Sequence, residues 1–176
     1  MSIDRFLALI RDVPDFPEPG IVFKDITPLL GNAAAFGAAL DAMTRTFDGD
    51  AISAVVGIEA RGFIFGAPIA DRLGASFVPV RKPGKLPWRV MSLEYGLEYG
   101  TDELEIHEDA LTPDDRVLVV DDVLATGGTA RATIDLVKGF GATVAGLAVL
   151  IELGFLNGRD KLSDVLVHTV VHYDGS

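Results

Sequence analysis

Residues 116–130, with the sequence RVLVVDDVLATGGTA, determine how the rest of the chain is interpreted. The apolar run VLVV is typical of a parallel strand that is buried on both faces of a sheet. Two carboxylates, Asp121 and Asp122, stand where this strand is predicted to end. The small, glycine-rich segment 125–129 follows them, and a helix is predicted over 130–140. We therefore expect a buried strand that ends in an acidic pair, followed by a glycine turn that leads into a helix.

The glycine-rich segment has the composition of a phosphate-binding turn. Successive backbone N–H groups beside a helix N-terminus form a concavity that holds an anion. Gly127 and Gly128 permit positive φ and the close approach of a ligand. The hydroxyls of Thr126 and Thr129 add hydrogen-bond donors, and the acidic pair can accept from ribose hydroxyls. We therefore predict phosphate and ribose bound side by side; the alternative is a strand capped by two solvated aspartates and an ordinary turn.

The composition limits the classes of protein to which the chain can belong. With 176 residues, 49% of them hydrophobic, it suits one domain (1–176) with a sizeable core. The absence of cysteine excludes a disulfide scaffold and a thiolate metal site. The first residues do not resemble a secretory signal, and no apolar stretch is long enough to span a bilayer. We expect a cytoplasmic protein that does not bind membranes.

The net charge of −11 argues against a nucleic-acid partner, because such proteins carry a basic footprint. A polyphosphate ligand would instead need a local cluster of cations. One such cluster occurs within a short stretch: Arg81, Lys82, Lys85 and Arg89. Prolines, a glycine and the loss of apolar periodicity predict a structureless, flexible loop over 81–102, before a short strand at 104–107. We interpret this loop as a lid over an anionic ligand; a solvated run of charges is the alternative.

The remaining periodicities predict alternating strands and helices. Apolar spacing behind Ser2 indicates a first helix over 3–10. Prolines and Gly20 interrupt regular structure before an extended or looped segment at 21–28. Further helices are predicted over 33–47 and 62–73, and further strands over 52–58, 76–80, 143–151 and 165–172. This alternation is typical of an α/β domain with a mainly parallel core sheet flanked by helices.

Segment 57–63, GIEARGF, follows the first predicted core strand. Open α/β sheets bind their ligands at the carboxyl edge, where this segment is expected to lie. Arg61 is therefore well placed to meet an anion, and its planar fork of donors suits phosphate. A surface ion pair between Arg61 and Glu59 is an equally good interpretation of the segment alone.

Phe23 lies in a segment bounded by prolines and a glycine, where two roles are open. Packing in the core is the usual role of a phenylalanine. The ring can equally serve as a platform on which a flat base stacks, with backbone groups of Val22 and Lys24 reading the edge of that base. The sequence alone does not separate these two roles.

Five segments occur in an order that resembles the type I family of purine/pyrimidine phosphoribosyltransferases, and within it the enzymes that act on adenine. They cover most of the chain: DFPEPGIVFKDITPLL (15–30), GIEARGF (57–63), RKPGKLP (81–87), LEYGTDELEIHEDAL (97–111) and VLVVDDVLATGGTA (117–130). The resemblance implies the type I phosphoribosyltransferase fold, with a five-stranded parallel core sheet, an N-terminal hood over the base (1–35), a flexible catalytic loop and a homodimer. It also implies that the last segment binds phosphoribosyl pyrophosphate (PRPP).

The implied reaction joins adenine and PRPP to give AMP and diphosphate, with Mg²⁺ as cofactor. Positions that match catalytic residues are Arg61, Glu98 and Tyr99. Positions that match contacts of PRPP and AMP are Arg61, Arg81, Lys82, Lys85, Asp121, Asp122, Ala125, Thr126, Gly127, Gly128 and Thr129. Positions that match the adenine site are Val22, Phe23, Lys24 and Leu153. No dedicated metal cage is expected, because PRPP and water supply most Mg²⁺ ligands, with Asp121 and Asp122 as candidate protein ligands.

The tetrapeptide LEYG occurs twice, at 93–96 and at 97–100, so that two Glu-Tyr pairs compete for the catalytic positions. We assign the second pair, Glu98 and Tyr99, because TDELEI follows it as the family pattern requires. The first pair then has no role that the resemblance supplies.

Three other functions are alternatives to this interpretation of the sequence. Salvage of another purine is disfavoured by the hood motif and by GIEARGF, which match the adenine enzymes. A non-catalytic, PRPP-sensing regulator of transcription would normally need an attached DNA-binding module or a basic face, and the chain carries −11. A nucleotide hydrolase that uses the acidic pair as a Walker B motif is weaker still, because the sequence has no G-x-x-x-x-G-K-[ST].

Overall fold

The computed structural model describes residues 3–96 and 100–175. Within these ranges the helices are α1 (Ile3–Leu7), α2 (Thr27–Leu30), α3 (Ala33–Thr44), α4 (Gly62–Leu73) and α5 (Gly128–Gly139). The strands are β1 (Arg11–Pro14), β2 (Val22–Asp25), β3 (Ala54–Ile58), β4 (Ser76–Val80), β5 (Val90–Gly96), β6 (Thr101–His107), β7 (Arg116–Leu124), β8 (Thr143–Leu153) and β9 (Val167–Tyr173). Short 3₁₀ turns occupy Arg45–Phe47, Gly154–Leu156 and Gly158–Leu162. None of the helices in these ranges combines the length and the apolar composition that crossing a bilayer requires.

Five parallel strands form the central sheet, in the order β4-β3-β7-β8-β9. Val56 of β3 aligns with Val78 of β4 and with Val119 of β7, so that β3 and β7 lie inside the sheet. The predicted α/β fold with a parallel core sheet is thereby confirmed. The helix α4 and the strand β4 have the predicted bounds, whereas β8 continues past its predicted end to Leu153.

The apolar runs of β3 and β7 are buried on both faces of the sheet. Val55 belongs to the core cluster that α3 and α4 cover, and its neighbour Val56 belongs to the cluster that α5 covers. Leu118 and Val119 of β7 alternate in the same way. Each fully buried valine or leucine side chain contributes about 1.5–3 kcal/mol. This packing fixes the inner strands on both sides and brings their carboxyl ends to one edge of the sheet.

A hairpin of β1 and β2 forms the hood and is fixed to the last strand. Lys24 is 7% exposed; its Nζ donates to Asp12 Oδ1 at 2.8 Å and lies 4.3 Å from the centre of the Tyr173 ring. Because side chains alternate along a strand, Phe23 points to the opposite face of β2. The hood is therefore held through Lys24, and the Phe23 ring remains available for other contacts.

Two predicted helices are shorter than expected. The helix predicted over 3–10 ends at Leu7, and Ile10 is buried beyond its end; Ser2 lies outside the described residues. The helix predicted over 33–47 ends as α3 at Thr44 and continues as a 3₁₀ turn. The Asn32 side chain caps its start by accepting from Ala35 N at 3.0 Å, which satisfies one free N–H group.

The prediction of a structureless loop over 81–102 is wrong for 90–96 and 101–102, which belong to strands; residues 97–99 lie outside the described ranges. Strand β5 pairs with β6 in antiparallel register, with Val90 opposite His107. We call these two strands the ribbon. Leu104 and Ile106 of β6 are buried in the core and anchor the ribbon to the domain. Met91, Leu93 and Tyr95 of β5 pack against the core while Glu94 is exposed, so β5 has the alternation of a half-buried strand. The prolines and charges at 81–89 gave the whole stretch the composition of a loop.

Candidate functional site

The acidic pair lies at the carboxyl end of β7, inside the central sheet. Asp122 is 4% exposed, and Arg61 Nε lies 2.8 Å from its Oδ2. This approach does not have hydrogen-bond geometry, and no group within residues 3–96 and 100–175 donates a hydrogen bond to that oxygen. Burial raises the pKa of Asp122 against the opposing effect of Arg61, and burial followed by repulsion from Asp122 raises the pKa of Asp121 well above its usual range. Asp121 is half-buried, so its carboxylate in particular can accept hydrogen bonds from a ligand in the cavity.

The predicted phosphate turn forms the start of α5. Gly127 precedes the helix with a φ of +77°, and its carbonyl accepts from Arg131 N at 2.9 Å. The N–H groups of the first helical turn have no acceptor inside the helix, so they and the helix dipole favour an anion. The turn lines a cavity of about 90 Å³, whose walls are Asp121 and residues 123–130. Of the two glycines that permit positive φ, Gly127 adopts it, whereas Gly128 is the first residue of the helix.

Gly158, which the sequence analysis missed, supports this turn from the other side. A Cβ atom on Gly127 would overlap the carbonyl oxygen of Gly158, and one on Gly158 would overlap the carbonyl oxygen of Ala125. Backbone therefore packs directly on backbone, which requires a glycine on each side. The Asn157-Gly158 dipeptide signals a turn in the sequence, but nothing in its spacing places it against the phosphate turn.

Arg61 connects the hood to the acidic pair. Its guanidinium carbon lies 5.0 Å from the centre of the Phe23 ring, while its Nε faces Asp122. The Phe23 ring is partly buried and packs edge-on against Phe16, with 5.2 Å between the ring centres. The alternative of an Arg61–Glu59 ion pair is wrong, because Glu59 is paired with Arg81 instead.

Glu59 organises the first part of the basic cluster. Its Oε1 accepts from Arg81 Nη2 at 3.0 Å, and its Oε2 accepts from Lys82 N at 2.9 Å. The hydrogen bond from Arg81, more than that from the Lys82 N–H, lowers the pKa of Glu59, which therefore stays ionised. The Lys82 ammonium group is paired with the carboxylate of Asp102. Lys85, by contrast, is exposed.

A second cavity, of about 270 Å³, adjoins the phosphate turn and contains the acidic pair. Its lining residues are Glu59, Ala60, Arg61, Lys82, Asp121, Asp122, Val123, Ala125 and Thr129. Of the predicted cationic residues, the structure thus brings Arg61 and Lys82 to the carboxylates. It leaves Lys85 and Arg89 on the exposed part of the loop.

The remaining predicted adenine-site residues lie where the hood meets the sheet. Leu153 is partly buried at the end of β8 and pairs in the sheet with Tyr173. The ammonium group of Lys24 lies over the Tyr173 ring. Val22 is partly buried in β2. The two predicted residues of the catalytic loop, Glu98 and Tyr99, lie outside the described residues. The roles of all these residues at a base stay predictions.

An ion pair at the end of β8 holds the turn that carries Gly158. Glu152 is 4% exposed, and its carboxylate accepts from Arg159 Nε at 2.9 Å and from Thr169 Oγ1 at 2.8 Å. These partners, of which Arg159 has the largest effect, lower the pKa of Glu152 to about 2. Arg159 follows Gly158 directly, so the ion pair fixes the segment that supports the phosphate turn. No pattern in the sequence distinguishes Glu152 from a solvated glutamate.

We expect Glu152→Gln to destabilise the fold by about 2 kcal/mol near neutral pH, because it removes the charge that Arg159 and Thr169 stabilise. A carboxyl with a lower pKa in the folded state stabilises the fold above its unfolded pKa and loses this contribution as the pH falls. The difference in unfolding free energy between wild type and variant should therefore shrink between about pH 4.5 and about pH 2. Urea unfolding at several pH values measures it, with the exposed Glu94→Gln as control. A difference that stays constant over this range would contradict the role of the Glu152 charge.

Known proteins resemble the chain over nearly its whole length. Residues 30–171 match the model of the family described as the phosphoribosyl transferase domain. The adenine phosphoribosyltransferase of Thermobifida fusca (strain YX) is 59% identical over 163 residues, which cover 93% of this chain and 91% of that protein. The crystal structure of adenine phosphoribosyltransferase from Rhodothermus marinus DSM 4252 matches with a TM-score of 0.94 at 54% identity, covering 97% of this chain and 98% of that chain. The Saccharomyces cerevisiae structure, complexed with an imino-altritol bisphosphate and adenine, matches with a TM-score of 0.90 at 38% identity, covering 96% and 97%.

Proposed function

Because the chain belongs to the phosphoribosyltransferase family, and within it to the adenine phosphoribosyltransferases, we propose the following roles for its residues. The reaction converts adenine and PRPP to AMP and diphosphate, a step of purine salvage. One observation supports the placement of PRPP: the half-buried Asp121 and the buried Asp122 lie just before the phosphate turn, and Arg61 and Lys82 line the adjoining cavity.

PRPP is proposed to lie across the two adjoining cavities. Its 5′-phosphate would accept from the N–H groups and threonine hydroxyls of 125–129. Its ribose hydroxyls would donate to the carboxylates of Asp121 and Asp122, both of which line the second cavity. Its diphosphate would meet the cations on the far side of the acidic pair: Arg61, Arg81, Lys82 and Lys85. Arg81 and Lys82 would exchange their carboxylate partners for the diphosphate as the loop closes.

Adenine is proposed to bind between the hood and the end of β8. Phe23 offers its ring to one face of the base, and Leu153 offers an apolar contact to the other. The Lys24 side chain donates to Asp12 and lies over the Tyr173 ring, so only the Lys24 backbone is available to the base. Backbone groups around Val22 would read the base edge, and such donors and acceptors discriminate between purines better than an apolar slot.

The chemical step requires stabilisation of two opposite charges. As adenine N9 attacks ribose C1, the bond to diphosphate breaks, the ribose gains oxocarbenium-like positive charge and the leaving group gains negative charge. The basic residues of the cavity stabilise the leaving group electrostatically. Closure of the loop 81–102 would exclude water, which could otherwise attack the ribose. Glu98 is proposed to donate or share a proton near N7, and Tyr99 to hold the closed loop.

Mg²⁺ is proposed to accompany PRPP rather than to occupy a site built by the protein alone. Among the described residues no group of three or more histidine or acidic side chains could hold a metal ion. The oxygens of PRPP and water would supply most ligands, with Asp121 and Asp122 as the candidate protein ligands. When bound, the ion neutralises part of the charge of the leaving diphosphate.

Two further properties are proposed from the family resemblance: that the protein is a homodimer and that it acts in the cytoplasm. The net charge of −11 agrees with small-molecule rather than nucleic-acid partners. Size-exclusion chromatography with light scattering would measure the oligomeric state directly.

The assignment of adenine is tested by the choice of base. Turnover is measured with PRPP, Mg²⁺ and each of adenine, hypoxanthine, guanine and xanthine under the same conditions. We expect kcat/KM for adenine to exceed the value for each other base by more than about tenfold, because a base edge with the wrong donors leaves backbone groups unpaired. Equal efficiency with hypoxanthine and adenine would favour the enzyme for another purine.

A further inference from the structure

Asp102, near the start of β6, lies between the ribbon and the basic loop. Its carboxylate is paired with the ammonium group of Lys82 and accepts from Glu103 N at 2.9 Å. The hydrogen bond from Lys82 has the largest effect on the pKa of Asp102 and lowers it, so the carboxylate is ionised near neutral pH. An ionised carboxylate can accept hydrogen bonds but has no proton to donate. A hydroxyl that bonds to Asp102 must therefore be the donor.

Tyr95, in the first copy of the LEYG repeat, supplies such a hydroxyl. It pairs with Asp102 across the ribbon, and its Oη donates to Asp102 Oδ2 at 3.1 Å. The same Oη lies 3.2 Å from Thr129 Oγ1. Because the phenol has a single proton, which goes to the charged acceptor, Thr129 is the donor in the second bond. The only hydroxyl proton of Thr129 is thus used within the protein.

Both ends of this chain of contacts belong to the proposed PRPP site. Lys82 lines the cavity that contains the acidic pair, and Thr129 lines both that cavity and the cavity of the phosphate turn. The ammonium group of Lys82 suits the diphosphate, and the hydroxyl proton of Thr129 suits the 5′-phosphate. In this structure Asp102 holds the first of these groups directly and the second through Tyr95.

The Tyr95 ring makes a separate contact with the start of α5. A Cβ atom added to Gly128 would lie 3.7 Å from two carbons of this ring. Leu93 and Tyr95 also pack against the core beside α5. These contacts keep the ribbon in place without the hydroxyl, so the effect of the hydrogen bonds can be measured apart from the effect of packing.

We propose that Asp102 is a positioning residue that restrains the ligand-free site: it holds the Lys82 ammonium group and, through Tyr95, the Thr129 hydroxyl, and PRPP must displace both. This inference rests on the proposed function, because it takes 125–129 as the phosphate site and Lys82 as a contact of the diphosphate. The same restraint lowers the affinity for the products, AMP and diphosphate, and so favours their release. Removing it should tighten binding, whereas loss of a residue that only supports the fold would weaken binding.

Asp102→Asn tests the hold on Lys82. The amide is nearly the same size as the carboxyl but carries no charge, so the ammonium group becomes available to an anion. Calorimetry with Mg²⁺ measures the affinity for diphosphate, which reaches only the Lys82 end. We expect diphosphate to bind about two- to fivefold more tightly than to the wild type, the range for a partly exposed ion pair. Glu103→Gln, the matched control, removes the same charge from the opposite face of β6 and should have a clearly smaller effect.

Tyr95→Phe tests the hold on Thr129. It keeps the ring over Gly128 and removes the hydroxyl, so that the Thr129 proton loses its acceptor in the ribbon. We expect AMP to bind about two- to tenfold more tightly, the range for one neutral hydrogen bond. Adenosine, which lacks the phosphate, should bind as it does to the wild type. In the Thr129→Val background, Tyr95→Phe should change AMP affinity by less than about twofold.

The outcomes separate this proposal from the function on which it rests. If Thr129→Val leaves AMP binding unchanged, or Lys82→Met leaves diphosphate binding unchanged, that contact of the proposed function is wrong and the restraint on it fails too. If these two variants weaken binding but either Asp102→Asn or Tyr95→Phe fails to tighten it, only the restraint is overturned. Equal effects of Asp102→Asn and Glu103→Gln overturn it as well, because net charge alone would then explain the gain. Urea unfolding verifies that each variant is folded.

Discussion

Gly127→Ala is expected to weaken AMP and PRPP binding by about 100-fold or more while the protein stays folded. Gly127 has a φ of +77°, which costs an alanine about 1–2 kcal/mol. In addition, its Cβ atom would overlap the carbonyl oxygen of Gly158, so the turn must move away from its support. A displacement of about 1 Å at a binding group is enough to lower activity by about 10²-fold. Isothermal titration with AMP measures the loss, and circular dichroism verifies the fold.

Two further alanine variants make this expectation specific. Gly128→Ala is the matched control, because position 128 has a helical backbone and its Cβ atom would only touch the Tyr95 ring at 3.7 Å. Its loss of affinity should be clearly smaller. Gly158→Ala should resemble Gly127→Ala, because it presses on the carbonyl of Ala125 from the other side of the same contact. If Gly127→Ala and Gly128→Ala bind AMP equally, packing on Gly158 does not shape the site.

Glu98→Gln is expected to lower kcat by about 10²–10⁴-fold, the range for a positioned acid or base, with little change in the KM for PRPP. Attack by adenine N9 changes the proton balance of the purine, and a carboxyl near N7 can donate or share the proton that an amide cannot. Steady-state kinetics with adenine and PRPP separates kcat from KM.

The repeat of LEYG supplies an internal control for this variant. Glu94 occupies the same position in the first copy and is exposed on β5. Glu94→Gln should therefore retain nearly all activity. If the two variants lose activity equally, or if Glu94→Gln is the more damaging, the catalytic glutamate has been assigned to the wrong copy of the repeat.

Elements whose side chains follow a single periodicity could be predicted from the sequence. The run VLVV indicated a strand buried on both faces, and β7 is such a strand, because apolar side chains are needed on each side of a parallel sheet. The acidic pair and the start of α5 followed from adjacency in the chain. A site built from neighbours in sequence is visible in the sequence, since chain connectivity already places its parts together.

Features that depend on long-range pairing could not be predicted in this way. Strand β5 does alternate, with Met91, Leu93 and Tyr95 packed against the core, but only its pairing with β6 distinguishes so short a pattern from the surrounding loop. The partner of Arg61 is Asp122 rather than Glu59, because the fold brings Arg81 to Glu59 from the next strand. Gly158 meets the phosphate turn only in three dimensions, and one glycine in a polar turn carries no sign of that contact.

In this structure the cations nearest the acidic pair each face a carboxylate. The pairs are Arg61 with Asp122, Arg81 with Glu59, and Lys82 with Asp102. Their positive charge is therefore largely cancelled at long range, while the whole chain carries −11. PRPP is itself a polyanion, so long-range repulsion slows its encounter with the protein. Dissolved salt screens this repulsion, with a Debye length of about 10 Å at 0.1 M. The association rate of PRPP should consequently increase with ionic strength, the reverse of the behaviour of basic proteins that capture polyanions.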